Sequence, residues 1–175
     1  MERDGYEADK NDIKVRINNK NINLTHNWDG TVREIMWGPK GETIYFTAAT
    51  GGTIQLFKVN APTNKKATRV QQITKGQWDV SGLVGFHEKG LIAGRTDMNH
   101  AKELYKIDLK SGEMTQLTHV NDKAYEGVEL CKVESRMVPT TDGKEMLTWV
   151  IYPPNFDPAK KYPTLLYTQG GPQSA

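Results

Sequence analysis

Few residues in this 175-residue chain are placed to do chemistry, and the clearest group stands near the C-terminus. Gln169-Gly170-Gly171-Pro172 follows a short apolar run, Tyr162-Pro163-Thr164-Leu165-Leu166-Tyr167-Thr168. Two adjacent glycines let the main chain come close to a reacting centre and aim N–H groups at a developing negative charge. The Gln169 amide can add a side-chain donor. Gln169, Gly170 and Gly171 are therefore candidates to hold an anion; alone, the same residues read equally as an ordinary turn after a strand. A matching nucleophile is missing. None of Ser81, Ser111, Ser135 and Ser174 has glycine at both i−2 and i+2, so there is no Gly-x-Ser-x-Gly elbow. Cys131 reads as a small, half-buried strand residue, with His119 the nearest histidine in sequence and no helix start beside it to acidify the thiol. A single cysteine permits no internal disulfide. His26, His87, His100 and His119 are scattered without metal-ligand spacing, so no metal site is expected.

The elements that must position these residues read in a period of two. Ile13-Lys14-Val15-Arg16-Ile17 alternates apolar with charged. Ile44, Phe46 and Ala48 share a face, as do Tyr105, Ile107 and Leu109. Polar turns separate these runs, at Asn18-Asn19-Lys20-Asn21, Pro39-Lys40-Gly41, Gly51-Gly52, Lys110-Ser111-Gly112 and Asp142-Gly143. Such alternation predicts antiparallel strands. Two markers also repeat in phase. One is Leu24-Thr25, Ile73-Thr74 and Leu117-Thr118; the other is Ile13-Lys14-Val15, Phe57-Lys58-Val59 and Tyr105-Lys106-Ile107. A period of about 45 residues with four short strands per unit predicts β-propeller blades. One unit is Val32–Trp37, Thr43–Ala49, Thr53–Val59 and Val70–Thr74. The next is Val80–Phe86, Leu91–Arg95, Glu103–Leu109 and Met114–Thr118. Two strands, Ile13–Ile17 and Ile22–Thr25, remain of an earlier unit, giving about two and a half blades. Trp28 and Trp78 are the expected anchors between blades.

The repeat stops after Asp122. Leu130–Pro139 and Glu145–Tyr152 predict a hairpin, and the apolar run 162–168 predicts a strand buried on both sides. The fold class is thus mainly β: a partial β-propeller over 1–126, then a segment over 127–175 whose buried strand ending in Gly-Gly-Pro resembles the third strand of an α/β-hydrolase, which implies the first strands of an α/β-hydrolase domain. Composition narrows the function. Lys+Arg is 23 against 21 for Asp+Glu, a net charge of +2. That excludes a charge-driven nucleic-acid binder. No apolar run approaches the roughly 18 residues of a membrane-spanning helix, and the polar start is no signal peptide.

The order of these parts resembles the prolyl oligopeptidase family of serine peptidases, in its dipeptidyl-peptidase and acylaminoacyl-peptidase branch. Tyr162 to Ser174 is especially similar to the dipeptidyl peptidase 5 type. The resemblance implies hydrolysis of short peptides by a Ser-His-Asp triad without cofactor or metal. It places that triad beyond Ala175 and leaves this segment inert alone. Peptide substrates follow, with a periplasmic or secreted compartment and an intact enzyme able to form homo-oligomers. It also implies that Gln169, Gly170 and Gly171 form the oxyanion-side loop; several family members carry Tyr or His where Gln169 stands, which alters the donor geometry. The acids Glu2, Asp4, Glu7 and Asp9 read either as an anchor for a peptide's amine or as a solvated loop. The alternative to a peptidase is a TolB-like propeller scaffold that binds protein; it should continue with another blade after 130.

Overall fold

The computed structural model describes residues 3, 5, 6, 9–61 and 69–168. Strands β1 (Lys14–Ile17) and β2 (Lys20–Asn23) form a hairpin. Its two-residue turn, Asn18-Asn19, has both residues left-handed, at φ 48° and 60°. This suits the twist of a tight hairpin, and asparagine tolerates it. The first four-stranded antiparallel sheet runs in the order β3 (Val32–Trp37), β4 (Thr43–Thr50), β5 (Thr53–Asn60), β6 (Gln71–Gln72). The second repeats that up-and-down order with β7 (Asp79–His87), β8 (Gly90–Thr96), β9 (Glu103–Asp108) and β10 (Met114–Gln116). One helical turn, α1 (Asp122–Tyr125), leads to a separate hairpin of β11 (Val133–Pro139) and β12 (Glu145–Ile151). The partial-propeller reading holds, at two blades and a pair of strands.

Each blade is buried on both faces in its middle strands, which is why β4 and β5 are less polar than their flanks. Ile44, Phe46, Ala48, Phe57 and Val59 pack with Ile13 and Leu24 of the preceding pair. Leu56, next to Phe57, points the other way and joins Val80, Leu91, Ala93 and Ile107 of the following blade. The period of two along β5 therefore feeds two successive cores. Trp28 fills the first, with ring centroids 5.4 Å from Phe46 and 5.3 Å from Phe57. Trp78 fills the second, with the Arg95 guanidinium 4.2 Å above its ring. Each indole lies over a glycine, Gly30 or Gly76, where a side chain would overlap it. Both tryptophans are inter-blade anchors, as expected.

The repeated threonine has a specific task. Thr25 Oγ1 accepts the Ile13 N–H and donates to Asp12 Oδ1. Thr74 Oγ1 accepts the Leu56 N–H and donates to Gln55 Oε1. Thr118 Oγ1 accepts the Leu104 N–H and donates to Glu103 Oε2. In each unit the hydroxyl continues the sheet's hydrogen bonding where the last strand has ended. This explains one departure from expectation. The last strands end at Asn23, Gln72 and Gln116, short of the ends expected at 25, 74 and 118, because the threonine hydroxyl there takes the place of a main-chain partner.

Two further expectations are corrected. Cys131 is half-buried but precedes β11 rather than lying in it; its carbonyl accepts from Asn99 Nδ2 at 2.8 Å. The run 162–168 forms no strand, and Leu165, Leu166 and Tyr167 are 98%, 87% and 83% exposed. A strand buried on both sides needs hydrogen-bonding neighbours. Among the described residues none lies beside it.

Candidate functional site

The expected oxyanion loop, Gln169, Gly170 and Gly171, lies outside the described residues. The structure does describe the path toward it. Tyr152, Phe156 and Tyr162 pack in succession with tilted rings, centroids 4.6 and 5.1 Å apart. The Tyr162 hydroxyl accepts the Asp157 N–H at 2.9 Å, and Arg136 donates to the Tyr152 hydroxyl. This aromatic chain ties the loop after Pro153-Pro154 back onto the β11–β12 hairpin. The hairpin meets the propeller at the β4–β5 turn. Gly52 has φ 73°, a left-handed conformation, and a Cβ there would sit 2.5 Å from Leu147 Cδ2 and 3.0 Å from Trp149 Nε1. Glycine at 52 thus serves both the turn and the docking of the hairpin.

Two clefts stand out among the described residues, one between the second blade and α1 and one where both blades meet the hairpin. One, of about 470 Å³, is lined by Arg95, Asp97, His100, Glu103, Tyr105 and Tyr125, among others. The other, of about 370 Å³, lies against Gly52, Trp78, Asp79, Asn99, Val133 and Trp149. The loop after β8 separates them. Asp97 organises it, with Oδ1 accepting from the main-chain N–H groups of Asn99 and His100 and from His100 Nδ1 at 2.9 Å. Tyr125 packs edge-on against His100 and accepts the Ala101 N–H. In the first cleft Glu103 is nearly buried. Hydrogen bonds from Thr118, then from Asn121, outweigh desolvation and hold its carboxyl below the usual range. These clefts offer carboxylates, phenols, an imidazole and a guanidinium: groups for holding a polar ligand.

The other singled-out residues are dispersed. Asp9 is bound by Arg3, whose hydrogen bond holds its carboxyl below the usual range. Glu2, Asp4 and Glu7 lie outside the described residues. His100 and His119 face carboxylates three residues away, Asp97 and Asp122. Ser111 donates to Asp108. Among the described residues no group of three or more His, Cys, Asp or Glu could hold a metal ion, and no helix is long and apolar enough to cross a membrane. Sequence reasoning missed Asp12, Gln55 and Glu103. The signal was present, since each polar residue immediately precedes the apolar residue whose N–H the repeated threonine accepts.

A profile of the dipeptidyl peptidase IV (DPP IV) N-terminal region matches residues 6–146. The chain belongs to that family. Its members' N-terminal region is a propeller, which agrees with the blades described above. Over 176 residues the chain is 35% identical to dipeptidyl-peptidase 5 of Porphyromonas gingivalis, covering 99% of this chain and 25% of the relative. The chain thus spans about a quarter of the length of that curated relative. Among solved structures, the Pyrococcus horikoshii acylaminoacyl peptidase aligns with a TM-score of 0.65 at 20% identity, covering 83% of this chain and 21% of that one. The β-propeller domain of the Trilobed protease from Pyrococcus furiosus aligns with a TM-score of 0.50 at 19% identity, covering 65% and 33%. At these identities the structures speak for the fold. Together the profile and the relatives place the chain among the peptidases of the dipeptidyl-peptidase and prolyl oligopeptidase kind.

Proposed function

We propose that this chain is part of a serine-type peptidase that hydrolyses short peptides, of the dipeptidyl or acylaminoacyl exopeptidase type. The observation that carries the reading is the end of the repeat. After Thr118 the chain leaves the four-stranded pattern for a hairpin docked on the propeller, then an apolar segment, largely exposed, running toward Gln169-Gly170-Gly171. In this reading residues 1–126 are propeller blades and 127–175 open a hydrolase unit. The segment 162–168 becomes a strand when that unit's sheet is present. The loop after it offers Gly170 and Gly171 main-chain donors, with the Gln169 amide, to the oxyanion of the tetrahedral intermediate. The nucleophile, base and acid belong to the rest of the protein, no cofactor takes part, and this chain alone is inert. A periplasmic or secreted location and self-association of the intact enzyme accompany the reading.

The test uses the full-length protein and this chain side by side with a serine-reactive fluorophosphonate probe and a dipeptidyl reporter substrate. The full-length protein should label and turn over, and this chain should do neither. Gln169→Ala in the full-length protein should lower kcat by about tenfold or more, within the range for loss of one oxyanion donor. Labelling of this chain, or an unlabelled full-length protein, overturns the proposal. An unchanged kcat removes Gln169 from it.

A further inference from the structure

The first strands of the two blades, β3 and β7, lie against each other. In a propeller the blades converge toward the axis, so these strands form its inner wall. Both carry a pairing irregularity. In β3 it falls between Val32 and Ile35, and the N–H freed there, that of Glu34, is satisfied within its own blade by Thr47 Oγ1 at 3.2 Å. In β7 the gap is wider. Pairing stops at Ser81 and resumes at Gly85, with Gly82 in a left-handed conformation at φ 64°. The N–H groups of Gly82 and Leu83 both turn to the neighbouring blade, where Glu34 Oε1 and Oε2 accept them, each at 3.0 Å. Two consecutive main-chain donors engage the two oxygens of one carboxylate, the geometry of an anion-binding nest.

The surroundings suit exchange. Glu34 and Gly82 are exposed, and a Cβ at Gly82 would meet nothing within 4 Å. Ile35 and Val84, next in sequence to Glu34 and Leu83, are large apolar residues 60% and 61% exposed. We propose that the Gly82 and Leu83 N–H groups are a carboxylate-receiving site, held by Glu34 in the free protein and open by exchange to the C-terminal carboxylate of a peptide whose last side chain is apolar. The incoming carboxylate takes over both hydrogen bonds, Glu34 swings into solvent, and Ile35 and Val84 receive the terminal side chain. The identity of the ligand as a peptide rests on the peptidase reading; the carboxylate chemistry does not.

The experiment reads binding without turnover, by ligand-observed saturation-transfer NMR on the full-length protein. The probes are N-acetyl-leucine, its neutral amide, and N-acetyl-glutamate α-amide, which carries only a side-chain carboxylate. Glu34 is a tethered competitor with an effective concentration in the millimolar range. Glu34→Ala should therefore tighten N-acetyl-leucine binding by about fivefold or more and leave the neutral amide unchanged. Glu34→Gln, which keeps one acceptor without charge, should give a smaller gain in the same direction. It also stands in if thermal unfolding shows that Glu34→Ala does not fold. An equal response of acid and amide, or no gain in either folded variant, overturns the site. Equal binding of the glutamate probe overturns the C-terminal assignment. A protein that binds N-acetyl-leucine yet hydrolyses no peptide leaves the site standing and removes only the peptidase reading.

Discussion

The threonine at the end of each unit is the residue with the most structural consequence for its size. Thr74 Oγ1 satisfies the N–H of fully buried Leu56 and the side-chain carbonyl of Gln55. Removing the hydroxyl while keeping the shape leaves a buried donor unpaired, which costs about 1–3 kcal/mol. In the full-length protein, Thr74→Val should lower the urea midpoint of the propeller transition by an equivalent amount, and Thr74→Ser by well under half of it; equal effects would refute the role given to the hydroxyl. The partners differ in a way that acid reveals. Burial pushes the Asp12 carboxyl up, but hydrogen bonds from Thr25, Asn23 and Lys10 together outweigh it and leave it below the usual range. Glu103 is held low as well, whereas Gln55 does not titrate. A depressed carboxylate stabilises the fold above its unfolded pKa of about 4, and that contribution is lost as pH falls through the lower folded value. Amide-exchange protection at Ile13 and Leu104 should therefore fall between about pH 5 and pH 3 relative to Leu56. A parallel fall at all three positions would contradict this.

At the scale of elements, the β11–β12 hairpin is the least self-sufficient piece. A two-stranded ribbon is marginal in water, and most of β11 is exposed. It depends on Leu147 and Trp149 resting on the β4–β5 turn and on the Asn99 bond to the Cys131 carbonyl. Gly51 and Gly52 separate two contributions there. Both are left-handed, at φ 56° and 73°, but only at Gly52 would a Cβ strike the hairpin. Gly51→Ala should cost backbone strain of about 1 kcal/mol. Gly52→Ala should add displacement of the hairpin, seen as faster limited proteolysis within 133–151. Equal cleavage in both variants would mean that the hairpin is not held by this contact.

At the scale of the molecule, the accessible surface is 12762 Å². A compact monomer of 19.7 kDa exposes about 8,600 Å². The excess is what an open stack of blades and an unpaired apolar segment produce, and it supports the reading that further chain covers these faces. Leu165, Leu166 and Tyr167 carry the sharpest consequence. Carbene footprinting should label them heavily in this chain and weakly in the full-length protein. Equal labelling in the two would show that 162–168 takes no neighbours.

Much of the fold was legible from period and phase. Strand-by-strand alternation gave β3, β4, β5, β7, β8 and β9 to within one or two residues: the middle strands of a blade are buried on both faces and alternate between two cores, and the first strands β3 and β7 alternate between a core and an exposed face. The repeat of Leu24-Thr25, Ile73-Thr74 and Leu117-Thr118 located the blades, and the tryptophans near them located the packing between blades. Other features needed tertiary structure. The run 162–168 has a strand's composition, but composition specifies burial and not the neighbours that provide it; here it forms no strand and Leu165, Leu166 and Tyr167 stay exposed. Asp12, Gln55 and Glu103 share a place immediately before the apolar residue whose N–H the threonine accepts, yet they differ in charge and length, so only the common threonine partner makes them equivalent. The carboxylate of Glu34 meets the N–H groups of Gly82 and Leu83 across 48 and 49 residues of sequence. No local pattern encodes that meeting; it arises because successive blades converge at their inner strands and bring two pairing irregularities face to face.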